Sequence, residues 1–422
     1  RGVIPKPTPP NVAYSKSAST PFTKPRPILR DDTGITGRAP GYRVAIVTLD
    51  AHAAGPVERA RERLQRDFPG LSVSVHAAAE WGESPDRLAD AIAAVETADI
   101  VVTALLFLEE HVTRILPALE ARRGACDAMV GMVSDAAIVK ATKMGTLDMG
   151  APSSGAMGFL KRLRGSSKPS TESGAKKMRL LRRLPQILRF IPGKAQDLRA
   201  WFVTMQYWLA SSDENVENMI RHLIARYASG QAWQGGDVPA PQEYPDVGLY
   251  HPDLKDRITT EIAALPAPNT PVATVGLLLM RSYVLSSDTA HYDGVIRTFE
   301  ACGMRVIPAF AGGLDGRPAI DAYFRSNGVD AIVSLTGFSL VGGPAYNDND
   351  AAIKVLTDID LPYIAAHPLE FQTLGQWAES AQGLGPIETT MLIALPELDG
   401  ATCPTVFGGR HGASGCAGCG HG

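Results

Sequence analysis

Short apolar runs alternate with stretches of helical spacing, and they do so in two separate blocks of this 422-residue chain. No other feature constrains the fold as strongly. In the first block, residues 42–50 (YRVAIVTLD) form an apolar run that ends on an acid. Residues 56–67 follow with helical spacing and open on Pro56, which suits a first helical turn. Residues 71–77 alternate as LSVSVHA, 85–96 are helical, 99–107 are almost wholly apolar, 109–121 are helical and 128–133 are apolar again. Strands that are apolar on both faces and separated by helices belong to a parallel sheet covered on both sides. The cadence returns over 272–395, with strands expected at 272–280, 304–310, 330–335, 361–366 and 391–395 and helices between them. The fold class expected is therefore α/β, with two doubly wound parallel-sheet regions.

The division expected is a first α/β domain at 41–150, a basic helical linker at 151–240 and a second, truncated α/β region at 241–422. Residues 1–40, rich in Pro, Ser and Thr and without apolar periodicity, read as a disordered arm. The first residue is Arg, and the last eight read GCAGCGHG, so a piece of a longer chain is the expectation at both ends.

Charge matters chiefly through its distribution. The whole chain carries a formal −3, which excludes a basic nucleic-acid coat and an acidic tail. Residues 161–199 nonetheless hold twelve Lys and Arg against Glu172 and Asp197, a local excess of ten positive charges. Residues 176–190 (KKMRLLRRLPQILRF) can present an apolar stripe kinked at Pro185. Three readings stand for this segment: a solvated linker face, a dock for an acidic partner or anionic ligand, or a membrane-surface helix. Trp201, Phe202, Tyr207 and Trp208 read either as a binding patch or as ordinary core. No apolar run approaches the 18 residues of a membrane span, and with no secretory apolar core near the start the cytoplasm is the expected location. Five cysteines in a chain of this size do not make a disulfide scaffold.

Ligands of doubly wound sheets gather beyond the carboxyl ends of the strands. In the first block the residues so placed are Asp50, His52, Glu109, Glu110, His111 and Ser134, which read as a ligand cluster or as loop polarity and capping. In the second block His367 and Glu370 follow one expected strand, and Glu397 and Asp399 follow another. His291 begins a helix. Gly312, Gly313, Gly342 and Gly343 would let backbone approach a flat or anionic ligand. Acids and imidazoles sharing one crevice could take up protons and pass a hard cation, since carboxylate oxygen suits Mg²⁺. His251 reads equally as a packed connector residue. Cys403, Cys416 and Cys419, with His411 and His421, form an incomplete metal-knuckle pattern, while Cys126 and Cys302 read as buried. No GxxxxGK[ST] phosphate loop occurs anywhere in the chain.

Long blocks carry a resemblance: SVHAAAEW, DAMVGMVS, TVGLLLMRSYVLSSDTAHYDGVI, RVIPAFAGGLDGRPAI, DAIVSLTGFSLVGGPAYND, YIAAHPLEFQTL and ALPELDGATCPTVFGGR. Over about residues 41–410 the chain resembles the family of magnesium chelatase H subunits and cobaltochelatase large subunits, nearer the magnesium branch. The resemblance implies a porphyrin-binding subunit that takes protoporphyrin IX and Mg²⁺ as substrates. It implies an AAA+ I subunit that hydrolyses ATP, a bridging D subunit, and a chain about three times longer than this one. The competing readings are a cobaltochelatase subunit acting on a corrinoid ring and a non-catalytic porphyrin carrier. Carried onto these residues, Glu397 would guide the ion with Asp399 beside it, and His367 or Glu370 would accept a pyrrole proton. Arg281 and Arg305, with Gly342 and Gly343, would lie at the rim of the ring site.

Overall fold

The computed structural model describes residues 41–49, 52–82, 84–151, 194–229, 238–343 and 346–410. The first sheet is built from β1 (Arg43–Thr48), β2 (Ser72–Ala77), β3 (Ile100–Ala104) and β4 (Ala128–Met132), all parallel, with short antiparallel β5 (Lys143–Met144) and β6 (Leu147–Asp148) at one edge. The order is β2-β1-β3-β4-β5-β6. Helices α1 (Ala54–Asp67), α2 (Pro85–Thr97), α3 (Glu109–Arg122) and α4 (Ala136–Lys140) make the connections. Every residue of β3 and β4 is buried, as expected of strands covered on both faces. Gly131 in β4 is needed for packing: a Cβ there would lie 2.3 Å from the carbonyl oxygen of Ile138 on α4.

The segment expected as a linker divides in two. Residues 152–193, which hold most of the basic charge, lie outside the described residues. Beyond them, α5 (Lys194–Ala210) and α6 (Asp213–Tyr227) are integral to the first core. Trp201, Phe202, Tyr207 and Trp208 are all buried there, together with Met219, Ile220 and Leu223 of α6. Trp201 donates its indole N–H to the Gly131 carbonyl at 3.0 Å. The buried Asp197 accepts from the Thr146 N–H and hydroxyl, both at 2.8 Å, and from Arg226 and Tyr227. The aromatic stretch is thus core, as its helical spacing permits.

The second sheet runs β15-β14-β11-β9-β10-β7-β8. Its parallel strands are β9 (Thr274–Met280), β10 (Arg305–Ala311), β11 (Ala331–Ser334), β14 (Tyr363–Thr373) and β15 (Thr402–Arg410). β7 (Val247–Tyr250) and β8 (Ile258–Thr259) add antiparallel strands beyond β10. Both sheets are therefore mixed, each with a doubly wound parallel centre. The connecting helices include α7 (Arg281–Leu285), α8 (Ala290–Ala301), α9 (Arg317–Ala319) with a π-helical turn at Ile320–Phe324, and α10 (Asn349–Ile359). A small hairpin joins β12 (Gly342–Gly343) to β13 (Tyr346–Asn347). In both sheets the first parallel strand lies between the second and third, so each has a switch point beside its first strand.

One expected strand is a helix. Residues 391–395 fall in a continuous helical stretch made of α12 (Pro386–Glu388), a π-helical turn at Thr389–Ala394 and α13 (Leu395–Asp399), after α11 (Leu374–Glu379). The buried positions are 388, 392, 396 and 399, a helical spacing with Pro386 opening the first turn. The run MLIAL is apolar enough for either state, and the stripe around it decides. β15 then supplies the last parallel strand.

Candidate functional site

The switch point of the second sheet, beyond β9 and β11, holds a small recess lined by Leu278, Met280, Gly313, Thr336, Phe338 and Ser339. Its volume of ≈ 30 Å³ suits about one water molecule, far below the several hundred Å³ that a drug-sized ligand needs. One wall is the loop after β11. Asp399, 1 % exposed, holds that loop: one carboxylate oxygen accepts the Leu340 N–H at 2.7 Å and the other accepts the Asn349 amide at 3.0 Å. The Gly316 N–H donates to the Leu340 carbonyl at 2.8 Å, and the Asp348 N–H to that of Val341 at 2.8 Å. Burial pushes the Asp399 carboxyl above its ordinary range, partly offset by the hydrogen bonds it receives. The expected metal role for Asp399 gives way to a structural one, because each of its oxygens accepts a hydrogen bond that holds the loop and no second acid, His or Cys joins it in a group that could hold a metal among the described residues.

His367 is different. It is wholly buried on β14, and neither ring nitrogen has a hydrogen-bond partner among the described residues. Burial alone lowers its pKa, so the ring is held neutral. Gly337, at φ +74°, passes between it and Leu392; a side chain there would press on Leu392 at 3.0 Å and touch His367 at 3.9 Å. An unpaired buried imidazole costs about 1–3 kcal/mol for each unsatisfied group, which makes it a candidate for a proton-accepting role.

The remaining candidates scatter. Glu397 is exposed on α13, two residues from Asp399. Glu370 lies further along β14, and its side chain lies outside the described residues. Arg281 donates to the carbonyls of Pro245 at 2.8 Å and Tyr244 at 3.1 Å, tying the connector to the end of β9. Arg305 begins β10, so it stands at the amino edge of the sheet, opposite the switch point, and its expected rim role is corrected. The Gly342 N–H is spent on the Leu314 carbonyl at 2.6 Å, which removes it as an anion donor. Gly343 pairs with Tyr346 in the hairpin.

In the first module Asp50 lies outside the described residues. Glu110 pairs with Arg114 at 2.8 Å, Glu109 is exposed, and His111 packs edge-on against Trp81 with centroids 5.7 Å apart. The Ser134 hydroxyl donates to the Met132 carbonyl at 2.9 Å and accepts the Leu106 N–H at 3.1 Å. These contacts match the reading of loop polarity and capping. His52 instead reaches the second module, where its ring lies 5.6 Å from that of Tyr283. His251 is packed, with Nε2 2.9 Å from Glu300. Cys302, expected buried, is exposed, as is Cys403; Cys126 is half-buried. The rest of the knuckle pattern, at 411–421, lies outside the described residues. Among the described residues no group of three or more His, Cys, Asp and Glu could hold a metal ion, and no helix is long and apolar enough to cross a membrane.

Comparison with known proteins adds a second line. Residues 43–202 match a family model described as a domain of unknown function (DUF3479), and residues 205–419 match one described as CobN/Magnesium Chelatase. The chain is 63 % identical over 383 residues to the magnesium-chelatase H subunit of Cereibacter sphaeroides, covering 90 % of this chain and 32 % of the relative. It is 60 % identical over 385 residues to the H subunit of the Rhodobacter capsulatus magnesium chelatase, with 91 % and 32 % covered. An aerobic cobaltochelatase subunit CobN of Sinorhizobium sp is more distant, 30 % identical over 130 residues, 30 % of this chain and 10 % of that one. The chain thus spans about a third of the length of these two magnesium-chelatase relatives. With half its length matched by one model and a doubly wound sheet under that match, the chain belongs to the CobN/magnesium chelatase family.

Proposed function

We propose that this chain is part of the porphyrin-binding subunit of a magnesium chelatase. That subunit would insert Mg²⁺ into protoporphyrin IX on the path to chlorophyll or bacteriochlorophyll in a photosynthetic cell. The carrying observation is the 63 % identity to a magnesium-chelatase H subunit across nearly the whole chain. The cobaltochelatase reading is weaker, since identity there is 30 % over 130 residues. The energy would come from ATP hydrolysed by an AAA+ I subunit bridged by a D subunit, as the family resemblance implies. The reading places the protein in the cytoplasm, and it treats 41–150 together with the helices at 194–227 as one domain and 241–422 as the start of the chelatase region.

Two physical obstacles define the chemistry. Mg²⁺ releases its water reluctantly, and the two pyrrole nitrogens that carry protons must lose them. Glu397, exposed and anionic, would replace water on the arriving ion. His367, neutral and unpaired, would accept a pyrrole proton. Glu370 would serve as its alternate. The test is porphyrin titration and Mg²⁺ insertion by the full-length protein with I and D subunits and ATP. Tight binding with insertion supports the reading. Binding without insertion under those conditions favours the carrier, and no binding rejects both.

A further inference from the structure

Among the described residues His367 is the side chain that leaves two buried polar atoms unpartnered, since both ring nitrogens lie beyond the reach of solvent and of any hydrogen-bonding group. An imidazole sealed in this way can exchange a proton only if something moves. The main chain that passes over it belongs to the loop Thr336–Ser339, after β11. Thr336 and Phe338 are half-buried and line the switch-point recess. Gly337, between them, is buried and faces the other way: a Cβ on it would lie 3.0 Å from a Leu392 methyl and 3.9 Å from the His367 Cβ. One thickness of backbone therefore separates the recess from the imidazole.

We infer that the loop Thr336–Ser339 is a gate, closed in this structure, whose opening joins the recess to His367 and admits water to the ring. Its purpose rests on the proton-accepting role proposed for His367, and it supplies the motion that this role requires. The loop is fixed at both ends. The Leu335 N–H donates to the Leu278 carbonyl at 2.9 Å, and the Leu340 N–H to Asp399 at 2.7 Å. Between these anchors no main-chain hydrogen bond ties Thr336, Gly337 or Phe338 to the main chain of another described residue. The side-chain ties there are the Thr336 and Ser334 hydroxyls, 3.0 Å apart, and a long bond of 3.3 Å from the Val341 N–H to the Ser339 hydroxyl. Such a segment opens at less cost than the strands that flank it. Gly337 stands at φ +74°, so the residue with the freest backbone sits at the point that faces the imidazole. The recess, at ≈ 30 Å³, has room for about one water. A water can carry a proton through the opening, while a macrocycle is kept out by size.

The test follows deuterium exchange at the imidazole C2 position of His367 in the full-length protein by mass spectrometry, beside exchange of the β14 backbone amides. It needs no porphyrin. Exchange through a local opening is insensitive to low, non-denaturing urea, whereas exchange through unfolding accelerates with urea. His367 labelling should therefore stay flat in urea while labelling of the β14 amides rises. Gly337→Ala puts a side chain at a φ that it disfavours and so strains the closed loop. It should speed His367 labelling roughly tenfold, still without urea dependence. Gly337→Asn, better suited to that φ, should fall between Ala and the wild type. Phe338→Ala loosens the loop from the recess side and should also speed labelling, which covers the case in which the Gly337 variants fail to fold. His367 labelling that rises with urea in step with the β14 amides would overturn the gate, and so would equal rates in the wild type and every folded variant. Mg²⁺ insertion by a protein whose His367 stays sealed would overturn the gate and keep the chelatase reading. A loop that opens in a protein that binds no porphyrin would do the reverse.

Discussion

Asp399 reaches back 59 residues to accept the Leu340 N–H at 2.7 Å, with both residues shielded from solvent. The bond joins the end of α13 to the loop that lines the switch-point recess. An acid that looks like a metal ligand in sequence is a structural clamp.

Replacing Asp399 by Ala leaves the Leu340 N–H and the Asn349 amide without that acceptor. At about 1–3 kcal/mol for each buried unsatisfied group, the loss should be roughly 2–4 kcal/mol in urea unfolding. Asp399→Asn keeps one oxygen for Leu340, and Asn349 can turn its own amide to match, so it should cost less than about 1.5 kcal/mol. Burial raises the carboxyl pKa in the folded state. Its contribution is therefore fully present below the ordinary carboxylate pKa and declines as pH rises through the raised value. The Asn variant should lack that decline. Equal losses in Ala and Asn would mean that the clamp needs the charge itself.

Arg59 makes the corresponding tie between modules. Its guanidinium holds Asp213 of α6 through two bonds, at 2.7 and 2.8 Å, and donates to the Ser286 carbonyl after α7 at 2.8 Å. The Arg59 side chain is 41 % exposed, so solvent screening limits the gain. Arg59→Ala should cost about 1 kcal/mol. Lys restores the charge but not the fork, so Arg59→Lys should recover only part of it. Denaturant midpoints of the three proteins measure this, and full recovery by Lys would show that charge alone suffices.

Much of this fold is legible in the sequence because its central strands are buried on both faces. Runs such as DIVVTALLF and DAIVSL admit few alternatives once helices of the right length separate them. The failures have local causes. Residues 391–395 are apolar on every side chain, so periodicity is silent there, and the signal lies outside the run, in Pro386 and the stripe at 388, 392, 396 and 399. β7 is hidden in a proline-bounded connector, where its four residues, VGLY, are too few for a period to show. The candidate site is less legible, because it depends on contacts between distant segments. Nothing near Asp399 foretells Leu340, and nothing near His52 foretells Tyr283. Strand direction also matters: Arg305 is close in sequence to the right strand but at its wrong end.

His222 on α6 offers a pH test of the first core. Its pKa is pushed down to about 4, chiefly by burial and then by Arg226 and Arg199. Its Nε2 has no partner among the described residues, and its ring faces Tyr207 with centroids 6.0 Å apart. The unfolded chain would bind this proton near pH 6.5, the folded one only near 4. The associated stability is present above pH 6.5, falls as pH drops towards 4 and is lost below it. At about 1.4 kcal/mol per unit the full difference is on the order of 3 kcal/mol. His222→Leu should flatten thermal stability across that range by a like amount. An unchanged pH profile would show that His222 is hydrated enough to charge in place.

Glu397 carries the sharpest prediction about chemistry. It sits exposed on α13 while its neighbour Asp399 is buried as the clamp, so the two acids of one short segment are separated by burial into different tasks. Glu397→Gln keeps the shape and removes the charge. An exposed helical position tolerates this within about 0.5 kcal/mol, so the melting temperature should not move. A partly dehydrated Mg²⁺ needs anionic oxygen in place of its lost water, so insertion by the full-length protein with its partner subunits and ATP should fall by roughly tenfold or more. Porphyrin binding depends chiefly on apolar area and should be spared. Fluorescence quenching follows the binding, and the absorption change of the metallated ring follows the insertion. Insertion at the wild-type rate would make Glu397 an ordinary solvated helix residue. Loss of binding and insertion together, at an unchanged melting temperature, would place Glu397 in the hold on the ring and not on the path of the ion.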